Sequence, residues 1–480
     1  MKRLRTRILK IRKTALIALD QMDHSPLTAE QVIPELSDKS KELRTAALWV
    51  VSHHRDWSGP ILSFLETRLR SPDSPGPEAE PVREALLAFC ADAAVQKMAG
   101  DLLSEAAGGA KRELFLLDTM DRCELKEFPA LWAERVGALL DHSAAAVRLR
   151  ALNLIRALQI TGLDDHLEKI ASSAASPAEL RTTALAVLVR RHPGLDDGAY
   201  QFLLRQLGRD HDAATRLAAA QVLGNSRRSD AQLITLANQH LQHADALILP
   251  RLLDSFSNST SAETGKAMVS ALLKSSVSIG EPDAKRLQEI LQKYPEDIRS
   301  AARPLVAHLE ELQKARIKRL RQLDSLLSAG GDIGRGRRIF FGEKVACYHC
   351  HTIGKQGGHV GPDLTGVGAI RSGHDILEAI VFPSASFVPG FEIYNVETKT
   401  DTYAGVRGED TPAAITLVTR PQAEIRIPRK QVVSIKPSSI SLMPEGLDES
   451  LTRSEFIDLL AFLQAQKSRE IAQVRNPEAH

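Results

Sequence analysis

The stretch Val345–Gly368, "VACYHCHTIGKQGGHVGPDLTGVG", decides how the C-terminal third of this 480-residue chain is read. It sets Cys347, Cys350 and His351 in the order C-x-x-C-H, using two of the chain's four cysteines and one of its fifteen histidines. With those counts, the five-residue pattern arises by chance with a frequency of about 0.001. Three chemistries use such a spacing. Two thiols and an adjacent imidazole suit covalent haem: the thiols add across the two vinyl groups and the imidazole falls beneath the iron. Cys347, Cys350, His351 and His359 could instead form a Cys2His2 zinc site. A redox dithiol is the third option, but its usual strand-to-helix setting is missing.

The flanks favour haem. The "GPDL" that begins ten residues after His351 resembles the Gly-Pro-x-Leu of class I cytochromes c. That resemblance implies that the Pro362 carbonyl accepts the proximal imidazole Nδ1–H and that Leu364 packs on the macrocycle. Gly336 and Phe340, four residues apart, precede the motif on a short helix. Phe456, Leu459, Leu460, Phe462 and Leu463 lie on a last helix, and the cytochrome c resemblance implies that the two helices cross closely, which the glycine permits. Met443, in the loop "SLMPEGL", is the chain's last methionine and stands just before that helix. It is the expected sixth ligand, stiffened by Pro444, with His374 as the alternative. The metal ligands are then His351 and Met443.

Between "DILEAIVFPSASF" and Met443 runs a segment rich in Thr, Val, Ile and Tyr. Its alternation predicts four or five short antiparallel strands over about 391–438. The blocks "GRGRRIFFGEKVACYHCHTIGKQGGHVGPDLTGVG", "LEAIVFPSASFVPGFEIYNVET", "SLMPEGL" and "EFIDLLAFL" resemble the haem-binding domain family of planctomycete and verrucomicrobial type, over about residues 334–466. Members of that family carry the domain after HEAT-like repeats. In many, a sorbosone/glucose-dehydrogenase-like propeller lies further upstream, and no such segment is present in this chain.

Residues 1–328 read as helix after helix. An Arg, mostly preceded by an apolar or small residue and mostly followed by an Ala two to four residues on, recurs at Arg44, Arg83, Arg112, Arg148, Arg181, Arg216, Arg251 and Arg299, at spacings of 29 to 48 residues. Such periods mark stacked helical hairpins, each of which buries its apolar face only against its neighbours. The pattern resembles HEAT repeats, clearest in "LLDHSAAAVRLRALNLI". The Arg is expected to bridge repeats to carbonyls or to the turn carboxylates Asp38, Asp141 and Asp210. Only 4% of residues are aromatic, which suits closely stacked helices. His53 and His54 are expected to be surface or cap residues. Cys90 and Cys123 are expected to be small buried hydrophobes, with a bridge between them left open. Gly330–Gly331 stops a long helix running from about Arg303 to Ser328, and Asp332 caps the next.

The expected fold is therefore mainly α: a HEAT-like α-solenoid over 1–328, then a cytochrome c-like haem domain over 329–470 with a small antiparallel β insertion, and a C-terminal tail over 471–480. The expected function is one-electron transfer by one haem c held through Cys347 and Cys350. The redox partner is a periplasmic sugar-type dehydrogenase or another cytochrome, and the solenoid makes protein–protein contacts. An electron-transfer module is expected rather than an enzyme, because a dihaem peroxidase would need a second C-x-x-C-H. A haem-based sensor or scaffold, and the C-terminal part of a larger PQQ/sorbosone-dehydrogenase-like oxidoreductase, are the alternatives. Thioether attachment implies a periplasmic or otherwise exported protein. The basic start "MKRLRTRILKIRK" lacks a signal peptide's apolar core. Sixty-two basic against sixty acidic residues give no net field for nucleic acid. No apolar run reaches the length of a membrane span. Arg335, Arg337, Arg338, Lys344 and Lys355 flank the motif as a candidate docking rim for an acidic partner.

Overall fold

A computed structural model describes residues 2–22, 25–71, 79–105, 109–277, 281–385, 388, 390–399, 401–420, 423–438 and 440–467. The expected tail at 471–480 lies outside them. The described chain is mainly helical, with one small five-stranded antiparallel sheet. No described helix is long and apolar enough to cross a membrane. The chain forms two compact units, Met1–Lys169 and Ile170–His480.

In the first unit, helix phase follows apolar spacing. Lys41–His53 buries Leu43, Ala46, Ala47, Val50 and Val51, the i, i+3, i+4, i+7, i+8 set of one face. Ser58–Leu69 buries Ile61, Leu65 and Leu69 at successive turns. Asp92 caps Ala93–Ser104 by accepting from the amides of Ala94 and Val95. The recurring arginines tie turns together as expected: Arg44 donates to the Asp38 carbonyl at 3.1 Å, and buried Arg112 to the Leu102 and Glu105 carbonyls. His54 Nε2 lies 2.6 Å from Asp20 Oδ1, and its ring stacks on Trp57, a structural role. Cys90 and Cys123 line one small cavity with Leu116, Met120 and Trp132. Their thiols are hydrogen-bonded, which pulls the Cys90 thiol below its ordinary range.

The second unit begins with more of the same helices. Arg181 donates to the Ala171 carbonyl at 2.9 Å and lies over the Phe202 ring. Arg216 pairs with Asp245 at 2.6 Å, both side chains almost wholly buried. That carboxylate lies in the following turn and is not the expected Asp210, while Arg216 Nε donates to the Leu207 carbonyl of the preceding turn at 3.2 Å, as expected. Breaking such a buried pair costs about 3–5 kcal/mol. The long helix is Pro304–Leu323, extended by a 3-10 turn, Asp324–Ser328. It stops where expected, with Gly330 at φ +70° and Asp332 accepting from the Arg335 amide. The anticipated seam at 328/329 falls inside this second unit.

After the stop, helix Ile333–Phe340 crosses helix Arg453–Gln464 at Gly336. A Cβ there would run into the Asp458 carbonyl oxygen and stand 2.6 Å from the Phe462 Cβ. The close approach seats Phe340, fully buried, against Phe462 at 5.7 Å between centroids. A charged contact locks the crossing: Arg335 Nε donates to Asp458 Oδ2 at 2.7 Å, and the Asp332 amide to Oδ1 at 2.7 Å.

The Arg335 hydrogen bond holds the Asp458 carboxyl below its ordinary value of 3.8. A depressed carboxyl contributes stability above its unfolded pKa, and that stability is lost as pH falls through the folded value. Asp458→Asn should therefore lower the melting temperature at neutral pH and flatten its fall below about pH 4. An unchanged acid limb in a pH series of melts would refute this.

The expected strands are β3 (Ile393–Thr398), β4 (Thr402–Asp410), β5 (Ala414–Arg420), β6 (Ala423–Pro428) and β7 (Val432–Pro437). They follow a short hairpin, β1 (Thr352–Ile353) and β2 (Gln356–Gly357). The sheet order is β6-β5-β4-β3-β7, so the last strand returns to pair with the first. Alternate residues Val396, Tyr403, Ile415, Leu417 and Ile427 form its buried core.

Candidate haem-attachment site

The C-x-x-C-H segment is a tight loop closed by its own backbone. Ala346 takes a left-handed conformation at φ +44° and opens a 3-10 turn, Cys347–His349. The Cys350 and His351 amides both donate to the Cys347 carbonyl, at 3.2 and 3.0 Å. Hairpin β1–β2 then reverses the chain. The Gly361 amide donates to the Cys350 carbonyl at 2.8 Å, and the Leu364 amide to the Thr352 carbonyl at 2.8 Å. These bonds bring "GPDL" back beneath the imidazole.

There His351 Nδ1 lies 2.9 Å from the Pro362 carbonyl oxygen. A carbonyl only accepts, so Nδ1 carries the proton and the lone pair sits on Nε2. Gly361 supports the ring face: a Cβ there would stand 2.6 Å from Cε1 and 2.8 Å from Nδ1. Desolvation lowers the pKa of His351, favouring the neutral ring. The sequence reading did not single out Gly361. The double glycine spacing in "GGHVGP" is visible, but what it approaches is not.

Cys347 is half-buried, and desolvation pushes its thiol up to about 12. A thiol disulfide-exchange centre needs a lowered pKa instead. Cys350 is exposed. Cys347, Leu364 and Met443 all pack against one apolar cluster built on Phe340, Leu377, Phe456 and Leu460. The structure thus gathers on one cluster a thiol, a packing leucine and a thioether, with the tethered imidazole in the same loop as Cys347.

Two other histidines are engaged elsewhere. His359 Nδ1 lies 3.0 Å from Thr352 Oγ1, and exposed His374 pairs with Asp324 at 2.6 Å. Among the described residues, no three His, Cys, Asp or Glu side chains are gathered as ligands for a metal ion. Haem asks for a different donor set: two thiols, one imidazole with a free Nε2 lone pair, one thioether and apolar walls. The residues present fit that set.

Two of the five cations of the candidate docking rim are paired with carboxylates, Arg335 with Asp458 and Lys344 with Glu455, each at 2.7 Å, and Arg337 donates to the neutral Gln356 while lying over Phe341. No protein-family model matches the chain, and no curated protein is similar to it.

Proposed function

We propose that residues 329–467 bind one haem c and that the chain is an exported one-electron carrier with no catalytic residues of its own. The observation that carries this is the Nδ1–Pro362 contact at 2.9 Å within a C-x-x-C-H loop. Cys347 and Met443 lie on the adjoining apolar cluster. Cys347 and Cys350 would hold the group covalently, His351 and Met443 would ligate its iron, and Leu364 would pack against it. Bound in this way, haem would supply a one-electron couple.

The protein's own part follows from its residues. Pro362 fixes the His351 tautomer and orientation and raises the basicity of Nε2. Gly361 allows the ring to lie flat against the backbone. The apolar cluster around Phe340 and Leu460 excludes water, which favours the less charged state of a bound couple. The helices of residues 1–328 read as a HEAT-like solenoid, a scaffold suited to holding a redox partner such as a dehydrogenase or another cytochrome.

Expression with the cytochrome c maturation machinery tests this. The wild type should hold one haem that survives acid–acetone extraction, and Cys347→Ser with Cys350→Ser should lose it. A wild type whose colour extracts completely would overturn the proposal.

A further inference from the structure

We propose, resting on the haem reading above, that the helical region positions the sixth ligand: Arg319 holds the loop that carries Met443. Arg319 stands on helix Pro304–Leu323, outside residues 329–467. Its guanidinium bridges two carboxylates of the loop, with Nη2 at 2.6 Å from Asp448 Oδ2 and Nη1 at 2.8 Å from Glu449 Oε1. The Asp448 side chain is only 6% exposed. Its other oxygen, Oδ1, is buried and takes no hydrogen bond among the described residues. Arg319 is thus the countercharge that makes burial of Asp448 tolerable.

Two neighbouring contacts point the same way. Arg316, one turn earlier on that helix, lies 4.4 Å over the Phe382 ring. Phe382, Leu447 and Met443 pack on the same apolar cluster. From the turn that follows helix Asp197–Gln206, Arg209 reaches Gly446, with Nη1 3.9 Å from where a Cβ would sit. At Met443 the chain is tied by the Met443 amide, which donates to Ser441 Oγ, and by the Ser441 amide, which donates to Ser384 Oγ, each at 3.1 Å. Gly446 then turns the chain at φ +82°, and the turn closes on its own backbone: the Glu449 and Ser450 amides donate to the Gly446 carbonyl at 3.1 and 3.3 Å, and the Leu451 amide to the Asp448 carbonyl at 3.3 Å. Arg319 grips that closed turn by both of its carboxylates, so the grip fixes where the turn and the Met443 segment before it sit.

Arg319 is therefore a positioning residue for the Met443 sulfur, and a change in the helical region would be felt at the iron. The full-length, haem-loaded protein is compared with Arg319→Gln, Arg319→Lys and Asp448→Asn. Covalent haem content should be the same in all four, because Cys347 and Cys350 hold the group. Arg319→Gln should lose most of the weak red-edge absorption band of iron–thioether ligation, and its reduced form should bind CO. Arg319→Lys, which keeps a charge but not the fork, should restore part of the band. Asp448→Asn removes the bridged carboxylate, so it should weaken the band as well.

A merely structural role would lower the melting temperature of Arg319→Gln yet leave the band and the refusal of CO untouched well below the melt; that result overturns the proposal. A wild type with covalent haem but no thioether band would overturn it through Met443. A wild type without haem would overturn the haem reading first, and this inference with it.

Discussion

Gly336→Val should lower the thermal transition of the second unit by roughly 6 °C or more, while Gly59→Ala should leave the protein as stable as before or slightly more so. Both glycines sit in helices, and their surroundings set the sign. At Gly59 nothing lies within 4 Å of a new Cβ, so an added methyl lowers the entropy lost on folding, worth up to about 1 kcal/mol. At Gly336 the obstructing atoms are the Asp458 carbonyl oxygen and the Phe462 Cβ. Neither is the tip of a flexible side chain, so the helices themselves must separate. Separation disturbs the Phe340–Phe462 contact and pulls Arg335 from Asp458. Overpacking alone costs about 1–3 kcal/mol, and loss of those contacts raises the total to about 3 kcal/mol or more. In a unit of this size each kcal/mol moves the transition by about 2–4 °C. Equal melts for the two variants would mean that the crossing is looser than the structure shows.

The second large effect is expected at Met443. In the haem-loaded protein, Met443→Ala should abolish the thioether band and open the reduced iron to CO. His374→Ala should change neither. Met443 is half-buried against the apolar cluster that also takes Cys347 and Leu364. His374 is a surface side chain paired with Asp324, which raises its pKa chiefly through their hydrogen bond and favours the protonated ring, a state that cannot ligate. Loss of the thioether should also lower the reduction potential, since a thioether favours the ferrous state. A spectrum unchanged in Met443→Ala but altered in His374→Ala would move the sixth ligand to His374.

Much of the local structure was legible because it is written in short-range patterns. Period-3.6 spacing located the helices. Alternation located the strands over about 391–438, observed as Ile393 to Pro437. Gly330 and Asp332 marked a stop and a cap, and the crossing at Gly336 was expected through the cytochrome c resemblance. What escaped is non-local. Nothing in β7 says that it pairs with β3 rather than with its sequence neighbour β6. Arg335 meets Asp458 across 123 positions, and Arg319 meets Asp448 across 129. A charged side chain looks the same in sequence whether it is solvated or locked to a distant partner. For that reason the basic flank of the motif read as an open rim, although Arg335 and Lys344 are paired in the structure. The Arg repeat and its upstream carbonyl partners were visible, but a carboxylate partner was not: Arg216 donates back to the Leu207 carbonyl and pairs forward with Asp245, not with Asp210.

The most direct measurement is the intact mass of the denatured wild-type protein, together with that of its peptide spanning Cys347–His351, after expression with the maturation machinery. One added haem, carried on that peptide, is the predicted result. An unmodified mass with stoichiometric zinc in the native protein, or a peptide two hydrogens lighter through a Cys347–Cys350 disulfide, would contradict it.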